Sequence, residues 1–214
     1  MAIKAIGGNT GGDFEPVPEG VHFAICSKII FLGLQEETFD GVKKELEKVY
    51  LGFEVPDIQH EYQDKNGKTV SGPAVIGRTF TLNIGPKSNL GPFLTNWRSK
   101  QFTDDELTNG YDLERLAGIP CQLGVTHATK NGKTYANITS AGALIKEVKE
   151  AIANGTRSVT PANGILIYNP YEHSNQAYEK VPKFLKAKIE NRIVKRAAAK
   201  TANVTPDFDD NIPF

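Results

Sequence analysis

The chain has 214 residues, with 25 Lys and Arg against 25 Asp and Glu, a formal net charge of +0 and 39% hydrophobic residues. That composition excludes a chain disordered throughout, a collagen-like repeat and a disulfide scaffold, and the length suits one domain with an extension or two small ones. No apolar run is long enough to cross a bilayer and the N-terminus lacks a signal-peptide pattern, which points to the cytoplasm and away from a membrane.

Residues 1–13 include Gly7, Gly8, Gly11 and Gly12, too little side chain to pack, and are expected to be a flexible arm. From Val21 to Leu34 the chain is apolar and β-branched almost throughout, which predicts a long first strand. A second strand is expected over Val49–Pro56, with Val49, Leu51, Phe53 and Val55 on one face and Tyr50, Gly52 and Glu54 on the other. Between them the polar stretch Gln35–Lys48, with Asp40-Gly41 at a turn-like position, predicts a long loop or an extended hairpin. A third strand fits Ala74–Ile84, where Arg78 interrupts an apolar set of Ile76, Phe80, Leu82 and Ile84.

Ser88 is expected to open a helix, and Leu90, Phe93, Leu94 and Trp97 follow at i, i+3, i+4 and i+7 as one buried stripe. A short helix over Asp112–Ala117 precedes two strands, Ile119–His127 and Lys133–Ile145, joined at Asn131-Gly132. The order strand, strand, strand, helix, strand, strand is that of a five-stranded OB-fold barrel with its helix between strands 3 and 4; an α+β sandwich is the alternative. Residues 14–156 would form this mainly β domain. After Gly155 a strand over Ile165–Tyr168 and a basic amphipathic helix over Lys180–Lys200, with an apolar line of Leu185, Ile189 and Ile193, make an extension spanning 157–200. Residues 201–214 are a flexible acidic tail.

Gly67-Lys68-Thr69 and Gly132-Lys133-Thr134 lack the earlier glycine of a phosphate-binding loop and read as hairpin turns. His22, His60, His127 and His173 are scattered, and no Ser or Cys sits in a nucleophile signature. Asp104-Asp105-Glu106 follows Thr103, where acids cap a helix; a metal-dependent nuclease built on dispersed carboxylates is the enzymatic alternative. Cys26 and Cys121 stand without metal-ligand spacing and read as buried thiols, so neither a metal nor any other cofactor is implied.

Tyr50 and Arg78, read as pointing away from the apolar sets of strands 2 and 3, would supply a stacking plane and a phosphate contact in an OB cleft. Lys43, Lys44 and Lys48 in the first connection, with Lys130, Lys133 and Tyr135 at the last hairpin, fall where the OB binding loops belong and would form an electropositive rim. The neutral total hides a division. Residues 1–156 carry sixteen bases and nineteen acids, −3; residues 157–206 carry nine and three, +6; and the last eight carry three acids, −3. Neutrality is therefore no argument against a nucleic-acid partner.

The terminal run Asp207-Phe208-Asp209-Asp210-Asn211-Ile212-Pro213-Phe214 resembles the acidic C-terminal tip of bacterial single-stranded DNA-binding proteins, with Asn211 where that family usually has an acid. Val49-Tyr50-Leu51-Gly52-Phe53-Glu54-Val55-Pro56, Lys87-Ser88-Asn89-Leu90, Trp97-Arg98, Phe102-Thr103 and Gly132-Lys133-Thr134-Tyr135-Ala136-Asn137-Ile138 resemble phage-encoded single-stranded DNA-binding proteins of the OB-fold type. The likeness covers roughly Glu19–Ile145 and the tip. It implies a non-enzymatic protein that coats single-stranded DNA in phage replication or recombination inside an infected bacterium. It also implies a tail whose Asp207, Phe208, Asp209, Asp210, Ile212, Pro213 and Phe214 dock onto phage or host replication proteins. As a mobile polyanion that tail would also restrain duplex binding. An interaction adaptor that binds no DNA is the third alternative, and the basic helix matches no family pattern.

Overall fold

A computed structural model describes residues 15–63, 67–172 and 174–194. The N-terminal arm 1–13, the end of the basic stretch, 195–200, and the tail 201–214 with its partner-binding residues Asp207, Phe208, Asp209, Asp210, Ile212, Pro213 and Phe214 lie outside the described residues. The fold is mainly β. Strands β1 (Gly20–Phe39), β2 (Val42–Gln63), β3 (Thr69–Thr81), β4 (Pro120–Lys130) and β5 (Lys133–Gly142) form a curled antiparallel half-barrel in the order β3-β2-β1-β4-β5. The two edge strands approach one another, and the Arg78 guanidinium bridges them by donating from Nη1 to the Ile138 carbonyl at 3.0 Å.

The stretch between the first two strands is an extended hairpin, with the ladder unbroken from Gly33↔Lys48 to Phe39↔Val42. Asp40 (φ 49) and Gly41 (φ 77) make the two-residue turn, as do Asn131 (φ 52) and Gly132 (φ 72) between β4 and β5; both pairs occupy the left-handed region that such turns require. Period-2 alternation underestimates this arm because both of its faces are wet and its side chains are charged. Lys43 meets Glu36 across the strands at 2.8 Å.

The inner face gathers Ala24, Cys26, Leu51, Phe53, Val55, Phe80 and Leu123. Helix α1 (Leu90–Arg98) closes it with the expected stripe of Leu90, Phe93, Leu94 and Trp97, all buried. Phe93 lies 4.9 Å from Phe80 and Trp97 lies 5.5 Å from Phe53, ring centre to ring centre, and the indole N–H donates to the Pro120 carbonyl at 3.0 Å. Ser88 sits one residue before the first-turn flank, yet its hydroxyl accepts from the Gly91 amide at 2.9 Å. Helix α2 (Asp104–Asn109) begins with a capping box, Glu106 N–H to Thr103 Oγ1 and Thr103 N–H to Glu106 Oε2. The region read as a second helix is a single 3-10 turn, Leu113–Leu116.

A second core lies on the outer face. Ile30, Leu32 and Tyr50 pack against Leu166, Tyr168, Val181, Leu185 and Ile189 from the C-terminal extension. Strand β6 (Leu166–Tyr168) adds in parallel to β1 at Lys28–Ile30, beyond the point where the β4 pairing ends at Ile25↔Pro120. Helix α3 (Lys146–Ala153) has no fully buried residue, which is why apolar patterning does not reveal it.

The expected helix over 180–200 is interrupted. Helix α4 (Asn175–Lys180) stops before Val181-Pro182, and α5 (Lys183–Glu190) starts after it, because proline has no amide to donate and disfavours helical geometry in the residue before it. Leu185 and Ile189 are buried as expected, but Ile193 is past the helix end and its amide donates to the Leu34 carbonyl at 2.8 Å. Because Leu185 is fully buried between layers, Leu185→Ala is expected to cost about 2–5 kcal/mol. Urea denaturation should show one shifted transition; a separate early transition would mean the extension unfolds apart from the half-barrel.

Candidate nucleic-acid interface

Strand register separates the residues that the sequence puts on one rim. The β1–β2 turn lies beyond the C-terminal end of β1, whereas β4 runs antiparallel to β1 from Ile25↔Pro120 to Gly20↔Val125, which carries its turn past the other end. Lys43 and Lys44 therefore stand at the opposite end of the sheet from Lys130 and Lys133, and the expected single rim is not formed. Lys48 is not in a loop at all. It is buried within β2, where its ammonium donates to Glu37 at 2.6 Å and to the Thr81 hydroxyl at 2.9 Å.

Arg78 and Tyr50 do not share a face. Arg78 pairs with Leu51 and so points to the inner side with Ile76 and Phe80, its guanidinium 4.8 Å above the Phe80 ring. Its place between Ile76 and Phe80 carries this signal in a period-2 pattern, and polarity alone misdirects the reading. Tyr50 does point outward, but it is only 7% exposed, because Phe184 of α5 packs edge-on against it at 5.8 Å. Its ring crosses to β3 over Gly77, where an added Cβ would stand 2.1 Å from the phenolic oxygen. The glycine provides the room for the tyrosine.

Beside this pair runs a groove of about 1380 Å³ between the outer face of β3, the start of β5 and the C-terminal layer. Tyr135 lines it at 49% exposure and Phe184 at 61%, so both rings keep an open face. Lys28 and Lys180 contribute ammonium groups, and Glu15 and Glu179 bring carboxylates, leaving the groove close to electrically balanced. Of the residues named from the sequence, Tyr50 and Tyr135 are the ones brought together here. Lys28, Lys180 and Phe184 are additions. Lys28 sits in an apolar run that reads as core, and Phe184 falls off the buried line of a helix read as basic, so only its isolation among lysines marks it.

Lys28 is half-buried on the floor, facing Gly52 across the ladder. Burial holds its ammonium below the usual lysine range, and the nearby Glu54 opposes that fall. Glu54 is 1% exposed and is satisfied by the extension: the Ala162 amide at 2.6 Å, the Asn163 amide at 3.1 Å and the Asn163 side-chain amide at 2.8 Å all donate to it.

The acids after Thr103 serve the α2 cap, and Glu106 also receives the Arg98 guanidinium at 2.6 Å. Among the described residues no three His, Cys, Asp or Glu side chains are grouped to hold a metal ion, and no helix is long and apolar enough to cross a membrane. Cys26 and Cys121 are buried free thiols. In comparison with protein families and with curated proteins, the sequence matches none.

Burial pushes the Tyr50 phenol up to about 12 from 10.0 and the Cys26 thiol up to about 12 from 9.0. A raised folded-state value means that the stabilisation is complete below the unfolded value and is lost as the pH rises through the folded one. Folding stability is therefore expected to fall between about pH 9 and 12. Urea titrations across that range should show a shallower decline for Tyr50→Phe, which removes one of the titrating groups; an identical decline would contradict the assignment.

Proposed function

We propose that the chain is a non-enzymatic single-stranded DNA-binding protein with an OB-type barrel, holding the strand largely without regard to sequence. The observation that carries this reading is the groove itself, which offers the open rings of Tyr135 and Phe184 beside the ammonium groups of Lys28 and Lys180. Exposed rings stack on any base, and cations at the edge of such a groove track the phosphates.

Two further features support it. The half-barrel has α1 and α2 between β3 and β4, and β5 approaches β3, which fits the connectivity expected of an OB barrel, whose ligand face is that of strands 2 and 3. The terminal residues Asp207–Phe214 have the acidic lead and apolar tip of a docking peptide, which fits recruitment of replication proteins in a phage-infected cell. Lys130, Lys133, Lys180 and Lys183 are exposed and serve in this reading as phosphate contacts.

Anisotropy titration of labelled oligothymidine tests the reading. Affinity should fall with salt at a log-log slope of about −0.7 per phosphate contact. Phe184→Ala and Tyr135→Ala, both at exposed sites, should each weaken binding by about 1–3 kcal/mol. No binding at low salt would refute it. Deleting residues 207–214 is expected to tighten binding or extend it to duplexes, and unchanged affinities would remove the tail from the account.

A further inference from the structure

The half-barrel leaves two open strand edges, and both line the groove. β1 pairs antiparallel with β2 and with β4, which pair antiparallel with β3 and β5, so β3 and β5 run parallel to each other across the seam. Arg78 bridges that seam by its bond to the Ile138 carbonyl. Before the bridge, residues 73–77 of β3 and 134–136 of β5 line the groove, and among the described residues no backbone hydrogen bond joins the two strands. Ala74 and Ile76 are buried and pair with Val55 and Phe53 of the inner core, so what they offer the groove is the strand edge. Every second residue of an edge strand points its amide and carbonyl away from its one neighbour. Val75, Tyr135, Ile165 and Phe184, each 41–61% exposed, stand along the same groove as an uncovered apolar surface.

We propose that the chain's own residues Met1–Ile6 add as a strand in this seam and cover the groove, and, resting on the single-stranded DNA reading, that a bound strand displaces them. The chain enters the groove from the β5 side. Glu15, Pro16 and Val17 line it, and the Val17 carbonyl accepts from Nε2 of His127, the residue paired with Ala136 of β5, at 2.8 Å. Met1–Ile6 lie outside the described residues; their chemistry and reach are what fit them to the seam. They are apolar apart from Lys4, include the β-branched Ile3 and Ile6, and contain neither proline nor an acid. Six residues of strand cover about 20 Å, enough for the open stretch of β3. The eight residues from Gly7 to Phe14 reach up to about 28 Å, and their four glycines permit the chain to reverse. A single Lys4 suits a groove in which Lys28 and Lys180 already balance Glu15 and Glu179. The tail 207–214 would bring three acids against those carboxylates. Strand addition gives the open amides and carbonyls partners and covers the apolar side chains beside them.

Hydrogen exchange on the full chain without DNA tests the added strand. Amides within 74–77 and 134–136 should be protected. Ile3→Asn with Ile6→Asn, or Ala5→Pro, which removes one amide and keeps the isoleucines, should speed their exchange by about tenfold while α1 is unchanged. Wild-type exchange as fast as that of the variants overturns the inference and leaves the function standing. Protection lost on deleting 207–214 instead makes the tail the occupant, and protection that grows with protein concentration makes it a second copy; either result overturns the inference. Titration with oligothymidine tests the displacement, and the Ile3→Asn, Ile6→Asn protein should bind about tenfold more tightly than wild type. Equal affinity despite faster exchange overturns the displacement and supports the strand alone. Failure of every form to bind overturns the single-stranded DNA reading, while exchange still decides the strand.

Discussion

Strands β1 and β2 are apolar on both faces: Leu51 and Phe53 point to one side, Ile30, Leu32 and Tyr50 to the other, and all of them are buried. A sheet of this kind is stable only when each face is covered. Curling the five strands and plugging them with α1 covers the first. The second requires material from outside the half-barrel, and the chain supplies it as β6, α4 and α5. The extension is therefore the second layer of the same fold, and the groove exists because that layer stops short of β3, leaving Val75 and the backbone around Gly77 open beside it.

The junction between the layers is polar at one point. Glu54 lies in the ladder of β2, on the outer face, and a carboxylate buried there is tolerable only when its oxygens are bonded. Two backbone amides and one side-chain amide from Ala162 and Asn163 meet that demand and tie the start of the extension to the middle of the sheet. Further along, Gln35 donates to the Lys188 carbonyl and the Ile193 amide donates to Leu34, so the layer is fastened at both ends of its length. Lys28 and Glu54 thus belong to one arrangement: the acid anchors the wall and the base faces the space the wall encloses.

The sequence carries the elements whose signal is local. The α1 stripe follows from its 3.6 spacing, the two hairpin turns from Asp40-Gly41 and Asn131-Gly132, and the α2 cap from Thr103 and Glu106. What it does not carry is which second surface an outward residue meets. Alternation places Tyr50 off the inner face correctly, but only the packing of Phe184 and Leu185 decides that it lies beneath another layer. Alternation also places Arg78 on the inner face, with Ile76 and Phe80; treating polarity as a guide to exposure leads to the wrong side, and only the approach of β5 shows what a cation does there. Lys28 is hidden for the converse reason, as a charge inside an apolar run whose strand carries bulges between Cys26 and Lys28 and between Phe31 and Gly33. Each bulge shifts the phase, so counting residues loses the face.

The charge of the extension also takes on a different meaning once its partners are known. Arg157 is held by Asp57 at 3.0 Å and lies over Phe23, Lys186 lies over Tyr178, and Arg192 packs on Tyr171. Arg157 thus fastens the layer to the sheet with its charge balanced by Asp57, while Lys186 and Arg192 pack on rings of the extension itself. Lys180, Lys183 and Lys188 remain exposed, and Lys180 is the one that reaches the groove. Among the described residues, the bases of the extension are thus divided between packing within the fold and standing exposed near Phe184, while Lys195, Arg196 and Lys200 lie outside the described residues.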